Sequence, residues 1–175
     1  MQRAAVLLHG FLRTGASMRL VERALLQRGY VATTAPTFGY HLAPLEYHAA
    51  RAAEALAAIR KAWPDAEIDV VTHSYGGILA RAALAQPHAP EVRRIVMVSP
   101  PNQGARVAAA FRTWLPVHRA GWDPLAQFLP GAPGALPALT AEVGILTGGR
   151  GTVRGMNPWL GADNEGHTAH DWAQV

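Results

Sequence analysis

The sequence predicts an α/β protein, a three-layer α/β/α sandwich built on a mostly parallel sheet. Three observations carry that expectation. Short runs rich in apolar residues at 4 to 8, 68 to 72 and 94 to 99 read as strands, and the first is continuously apolar rather than alternating, as a strand covered on both faces is. Alanine-rich amphipathic stretches separate such runs, so strand and helix alternate along the chain. The runs end in loops bearing Gly, Ser or Pro, and right-handed crossovers gather those loops at the carboxyl edge of the sheet, where ligands bind in open α/β folds.

Residues 4 to 8 open the sheet and lead into His9-Gly10-Phe11-Leu12-Arg13-Thr14-Gly15, a loop whose two glycines allow main-chain N–H groups to face a ligand. It fits neither the dinucleotide fingerprint nor a P-loop, so a nucleotide cofactor is not expected. Ser17 is placed to cap a helix running through Arg28, with Leu20, Val21, Ala24 and Leu25 as its apolar stripe and Gly29 as its stop. A second strand is expected over residues 30 to 34, then a loop containing Pro36 and Gly39. From 45 to 63 the spacing of Ala49, Ala52, Ala53, Leu56 and Ile59 predicts a long helix ended by Pro64, with His48 on its solvent face.

The stretch Val70-Val71-Thr72-His73-Ser74-Tyr75-Gly76-Gly77-Ile78-Leu79 reads as strand, sharp turn and helix, the helix running to Leu84. A serine at that turn stands clear of the sheet beside a helix N-terminus that favours negative charge, which is the geometry of a nucleophile elbow. Thr72 occupies the place of the first glycine in G-x-S-x-G. The same ten residues also suit an ordinary turn in which Ser74 is only an N-cap. Residues 94 to 99 form the next strand and end in Ser99-Pro100-Pro101-Asn102-Gln103-Gly104.

Residues 105 to 140 change character. A short helix is expected over 107 to 115; beyond it five prolines break the chain into turns that carry Trp122, Phe128 and Leu129. This aromatic excursion has two readings, a cover over an apolar pocket and an irregular loop packed on the core. Residues 142 to 147 make the last strand. A glycine-rich loop from 148 then reaches Asp163-Asn164-Glu165-Gly166-His167.

At 175 residues and half apolar, the chain suffices for a single domain, 1 to 175, with one substantial core. Cysteine is absent, which excludes disulfides and a cysteine-based zinc site. The formal charge is +4, yet the arginines are scattered and Lys61 is the only lysine, so no basic stripe invites nucleic acid. Neither a signal peptide nor a membrane span is visible, which points to a cytoplasmic protein without stable membrane insertion.

Taken together, Val6-Leu7-Leu8-His9-Gly10-Phe11, Thr72-His73-Ser74-Tyr75-Gly76-Gly77 and Val96-Met97-Val98-Ser99-Pro100-Pro101-Asn102-Gln103-Gly104 resemble the α/β-hydrolase superfamily. Within it the chain is similar to small lipase-like and esterase-like members without a large cap domain, here also without the usual C-terminal strand, His loop and helix. The resemblance implies that Ser74 attacks an ester carbonyl and that the main-chain N–H groups of Phe11 and Tyr75 form the oxyanion hole, each such donor lowering the barrier by roughly 3 kcal/mol. It implies an acid on the 163 to 166 loop, Glu165 first and Asp163 second. For the base only His170 and His167 follow that loop, and His170 is preferred because His167 adjoins Gly166. No cofactor is implied.

The leading expectation is therefore a serine esterase or lipase acting on a small ester or lipid with an apolar acyl part. A weakly active or non-catalytic hydrolase-fold binding module is the second, its discriminating feature being the unmatched C-terminal His. A metal site from Asp163, Glu165, His167 and His170 is the third. Ending where it does, residues 142 to 147 would also leave an open sheet edge through which a homo-oligomer forms.

Overall fold

The structure, a computed structural model, describes residues 1–39, 43–102, 104, 112, 123, 125–129 and 131–147. Its core is a five-stranded parallel sheet in the order β2-β1-β3-β4-β5. The strands are β1 (Arg3–Leu8), β2 (Ala32–Thr34), β3 (Glu67–His73), β4 (Arg94–Val98) and β5 (Glu142–Leu146). The helices are α1 (Arg19–Gln27), α2 (Leu45–Ala62) and α3 (Tyr75–Leu84). Register is regular, with Val6 beside Val70 and Thr72 beside Met97.

The continuous apolar character of β1 is explained by its two covered faces. Ala4, Val6 and Leu8 point into the larger core with Leu56, Ile59, Ile78 and Leu79 of α2 and α3. Ala5 and Leu7 point the other way, onto Met18 and the partly buried Val21 and Leu25 of α1. Successive side chains on a strand alternate faces, so an apolar strand placed between two helical layers buries every residue. The three-layer architecture expected from the sequence is the one observed.

Several local expectations are corrected. Ser17 does not cap α1; it lies in a 3₁₀ turn, Gly15–Met18, and its hydroxyl donates to Thr14 O at 2.7 Å. Leu20 faces solvent, 79% exposed, because only Val21 and Leu25 of the expected stripe reach the sheet. The second strand is shorter than expected, and Tyr30 instead donates its hydroxyl to Asp69 at 2.5 Å. His48 lies on the buried face of α2, only 2% exposed, edge-on to Phe38 and Tyr47. The helix expected over 107 to 115 lies outside the described residues, Arg112 apart. Among the described residues no helix is long and apolar enough to cross a membrane.

The amino end of the sheet is tied by charge. Arg93 grips Asp69 through two nitrogens, Nε to Oδ1 at 2.9 Å and Nη2 to Oδ2 at 2.5 Å, and reaches Glu67 at 3.2 Å. Asp69 is 5% exposed, so this bidentate pair neutralises a carboxylate that burial would otherwise make costly.

Candidate active site

Ser74 follows β3 directly and stands at the N-terminus of α3 with φ 50° and ψ −118°. An ordinary N-cap has extended dihedrals and spends its side-chain oxygen on the first turn of its helix. Ser74 does neither, for no side-chain capping bond is made. Its backbone is held by two hydrogen bonds: its N–H donates to Val98 O at 2.8 Å, and its carbonyl accepts from Gly77 N–H at 2.9 Å. A non-glycine residue in this region costs on the order of 1–3 kcal/mol, and it persists only where neighbours over-determine it.

Glycines make the turn possible. A side chain on Gly76 would overlap the carbonyl oxygen of Leu8, so α3 can rest on β1 only without one. A methyl on Gly77 would come within 3.0 Å of Pro100 Cβ and 3.5 Å of both Met97 Sδ and Thr72 Oγ1. Thr72 is fully buried beneath that spot, and its hydroxyl has no hydrogen-bond partner among the described residues. A threonine therefore fits the crowded position because its side chain fills the space under Gly77.

The loop after β1 is folded against this turn. A methyl on Gly10 would lie 2.8 Å from His73 Nδ1 and 3.3 Å from Ser74 Cβ. Arg13 N–H donates to Gly10 O at 3.1 Å, closing a turn in which Leu12 has φ 54°. His9 anchors the loop from beneath, fully buried. Phe38 N–H donates to its Nε2 at 3.3 Å, so the ring proton is on Nδ1, which donates to Gly10 O at 2.9 Å. Burial holds the His9 pKa below its ordinary value, so this bracing imidazole is neutral.

Phe11, on the loop after β1, and Tyr75, the first residue of α3, meet edge-on with ring centroids 6.2 Å apart. Phe128 packs on both, at 5.0 Å from Phe11 and 4.8 Å from Tyr75. The Tyr75 hydroxyl donates to Gln127 Oε1 at 2.6 Å, and burial pushes its pKa up, so it stays a phenol. The described part of the 105 to 140 excursion thus does reach the Ser74 end of the sheet. Gln127 carried no sequence signal, because its partner is 52 residues away.

His73 is exposed and packs beside Gly10. No imidazole among the described residues bonds the Ser74 hydroxyl. Asp163, Glu165, His167 and His170 all lie outside the described residues, so neither the acid, the base nor the metal alternative built on them is located. Among the described residues no group of three His, Cys, Asp or Glu side chains converges as metal ligands would.

No curated protein matches the chain. Solved structures do. The lipase BlEst2 of Bacillus licheniformis in its mature form has a TM-score of 0.74 at 18% identity, over 99% of this chain and 80% of that one. The propeptide form of the same lipase has a TM-score of 0.77 at 19% identity, over 99% of this chain and 43% of that one. Phospholipase PlaB from Legionella pneumophila has a TM-score of 0.60 at 17% identity, over 87% of this chain and 40% of that one. The chain therefore spans less than half the length of the latter two. At such identities the likeness is one of fold, and the fold is that of the α/β hydrolases. A family model described as a domain of unknown function, DUF7379, matches residues 1–146, a range holding all five strands, the His9-Gly10 loop and Ser74; the chain belongs to that family.

Proposed function

We propose that the protein is a serine hydrolase that cleaves carboxylic esters through an acyl-enzyme on Ser74. The observation that carries this reading is the backbone of Ser74, strained at φ 50° and ψ −118° with its hydroxyl unspent on the helix it begins. Strain of that kind is retained where exposing a side chain at the carboxyl edge of the sheet is worth its cost.

In this reading Ser74 Oγ attacks the ester carbonyl carbon while an imidazole takes its proton. The carbonyl oxygen becomes an oxyanion facing the main-chain N–H groups of Phe11 and Tyr75. Collapse breaks the ester C–O bond, and the alcohol leaves with the imidazole's proton. Water, deprotonated by the same base, then releases the acid and restores the Ser74 hydroxyl. His170 is the first choice for the base and His167 the second; Glu165 is the first choice for the acid and Asp163 the second. No cofactor takes part. The aromatic trio Phe11, Tyr75 and Phe128 supports an apolar acyl group, and the lipase and phospholipase names of the structural relatives agree with an ester or lipid substrate. The same reading takes residues 1 to 175 as one hydrolase-like domain.

The test is covalent labelling with a fluorophosphonate, together with hydrolysis of p-nitrophenyl esters of graded chain length. Labelling of the parent that disappears in Ser74→Ala is expected. Labelling that survives in that variant removes Ser74 from the role.

A further inference from the structure

At the end of the sheet away from Ser74 lies a second concave site. A cleft of about 390 Å³ opens where α3 ends and the chain enters β4 and β5, lined by Arg81, Leu84, Glu91, Val92, Pro137 and Leu139 among others. That volume is within the range of small-ligand pockets.

Arg81 is the unusual member. Its side chain is buried, with the residue 6% exposed. Nη2 donates to Leu136 O at 2.8 Å, while Nε is enclosed and has no acceptor among the described residues. No carboxylate pairs with Arg81 among the described residues. Two arginines nearby are paired with acids, Arg93 with Asp69 and Glu67 and Arg94 with Glu142, and Arg60 donates to the carbonyls of Pro64, Ala66 and Glu91. Burial alone pulls the Arg81 pKa below its ordinary value, the direction expected of a cation without a counter-charge. A buried, unpaired guanidinium is costly, and an anion supplied from outside would remove that cost.

The walls narrow the choice of anion. Leu84, Val92 and Leu139 offer apolar surface beside the guanidinium, and the exposed Glu91 on the rim disfavours a dianion. We propose that this cleft binds a small monocarboxylate with an apolar tail, its carboxylate on Arg81 and its tail against Leu84, Val92 and Leu139. The site is separate from Ser74: it is entered beside the residues preceding β4 and β5, whereas Ser74 follows the carboxyl end of β3.

The experiment is a heteronuclear NMR titration of the whole chain with butyrate, hexanoate and inorganic phosphate in turn. Hexanoate is expected to shift resonances of Arg81, Leu84, Val92 and Leu139 and to bind about tenfold more tightly than butyrate, each added methylene being covered by the apolar wall. Phosphate is expected to bind far more weakly. Arg81→Met keeps the aliphatic stem and should abolish hexanoate binding. Should that variant fail to fold, Ala89→Trp, which fills the cleft from a partly exposed position and leaves Arg81 in place, should abolish it instead. Shifts confined to the Ser74 end, phosphate binding as tight as hexanoate, or undiminished hexanoate binding by either folded variant would overturn the proposal.

Discussion

The carbonyl oxygen of Leu8 occupies the space that any side chain on Gly76 would need. This one contact sets how closely α3 lies on β1, and hence where the turn before α3 presents Ser74. Gly76→Ala must push helix from strand, since backbone rather than a flexible side chain stands in the way. Denaturant unfolding should show a loss of about 3 kcal/mol, the upper range for overpacking a tight interior. A loss below about 0.5 kcal/mol would mean that the helix shifts freely.

Strain at Ser74 and its chemistry can be separated by substitution. Glycine tolerates φ 50° where serine does not, so Ser74→Gly should raise the melting temperature by a few degrees. Ser74→Ala keeps the strain and should not. Both variants should lose labelling and hydrolysis. Equal melting temperatures for the two would show that the elbow is not strained in solution.

The oxyanion assignment rests on main-chain groups, which side-chain changes leave in place. Phe11→Leu should change acyl-chain preference while keeping most of the rate. Phe11→Pro removes the N–H at the second position of a turn that suits proline, and kcat should fall on the order of 100-fold. Equal losses in the two variants would contradict the assignment.

Thr72 carries a buried hydroxyl without a partner among the described residues. Replacing it with the isosteric Val removes an unsatisfied polar group at constant shape, so Thr72→Val should stabilise by up to about 1 kcal/mol. Destabilisation on calorimetry would show that the hydroxyl is satisfied.

His9 and His48 both have their pKa values held below the ordinary 6.5 by burial, with Arg51 adding to the effect at His48. Their unfolded forms take up protons near 6.5 while the folded forms do not. Below that pH the unfolded state binds more protons, so stability is present above about 6.5 and falls as the pH drops toward the folded-state values. Thermal melts from pH 7.5 to 5 should show this decline, and His48→Gln should make it shallower. A decline of unchanged slope in that variant would assign the effect to other groups.

The elements that were legible in the sequence are those with local causes. Residues 4 to 8 announce a doubly covered strand because every one of them is apolar, and Gly76 and Gly77 after Ser74 announce a sharp turn because the backbone there is crowded. The solvent-facing placement of His48 was wrong because the alanine-rich α2 has small side chains on much of its circumference, and periodicity then says little about which face is inward. Leu20 was wrong for the converse reason: an apolar residue at helical spacing need not meet the sheet.

By itself, then, the sequence determined the order of strands and helices, the parallel sheet and the sharp turn at Ser74, since each follows from apolar runs and glycines acting over a few residues. The strand order, the contact of Gly10 with Ser74, the seating of Phe128 on Phe11 and Tyr75, and the burial of Arg81 without an acid among the described residues were decided only by the tertiary structure. Those are relationships between segments distant along the chain, and the packing of two helical layers on one sheet, not any local preference, brings them together.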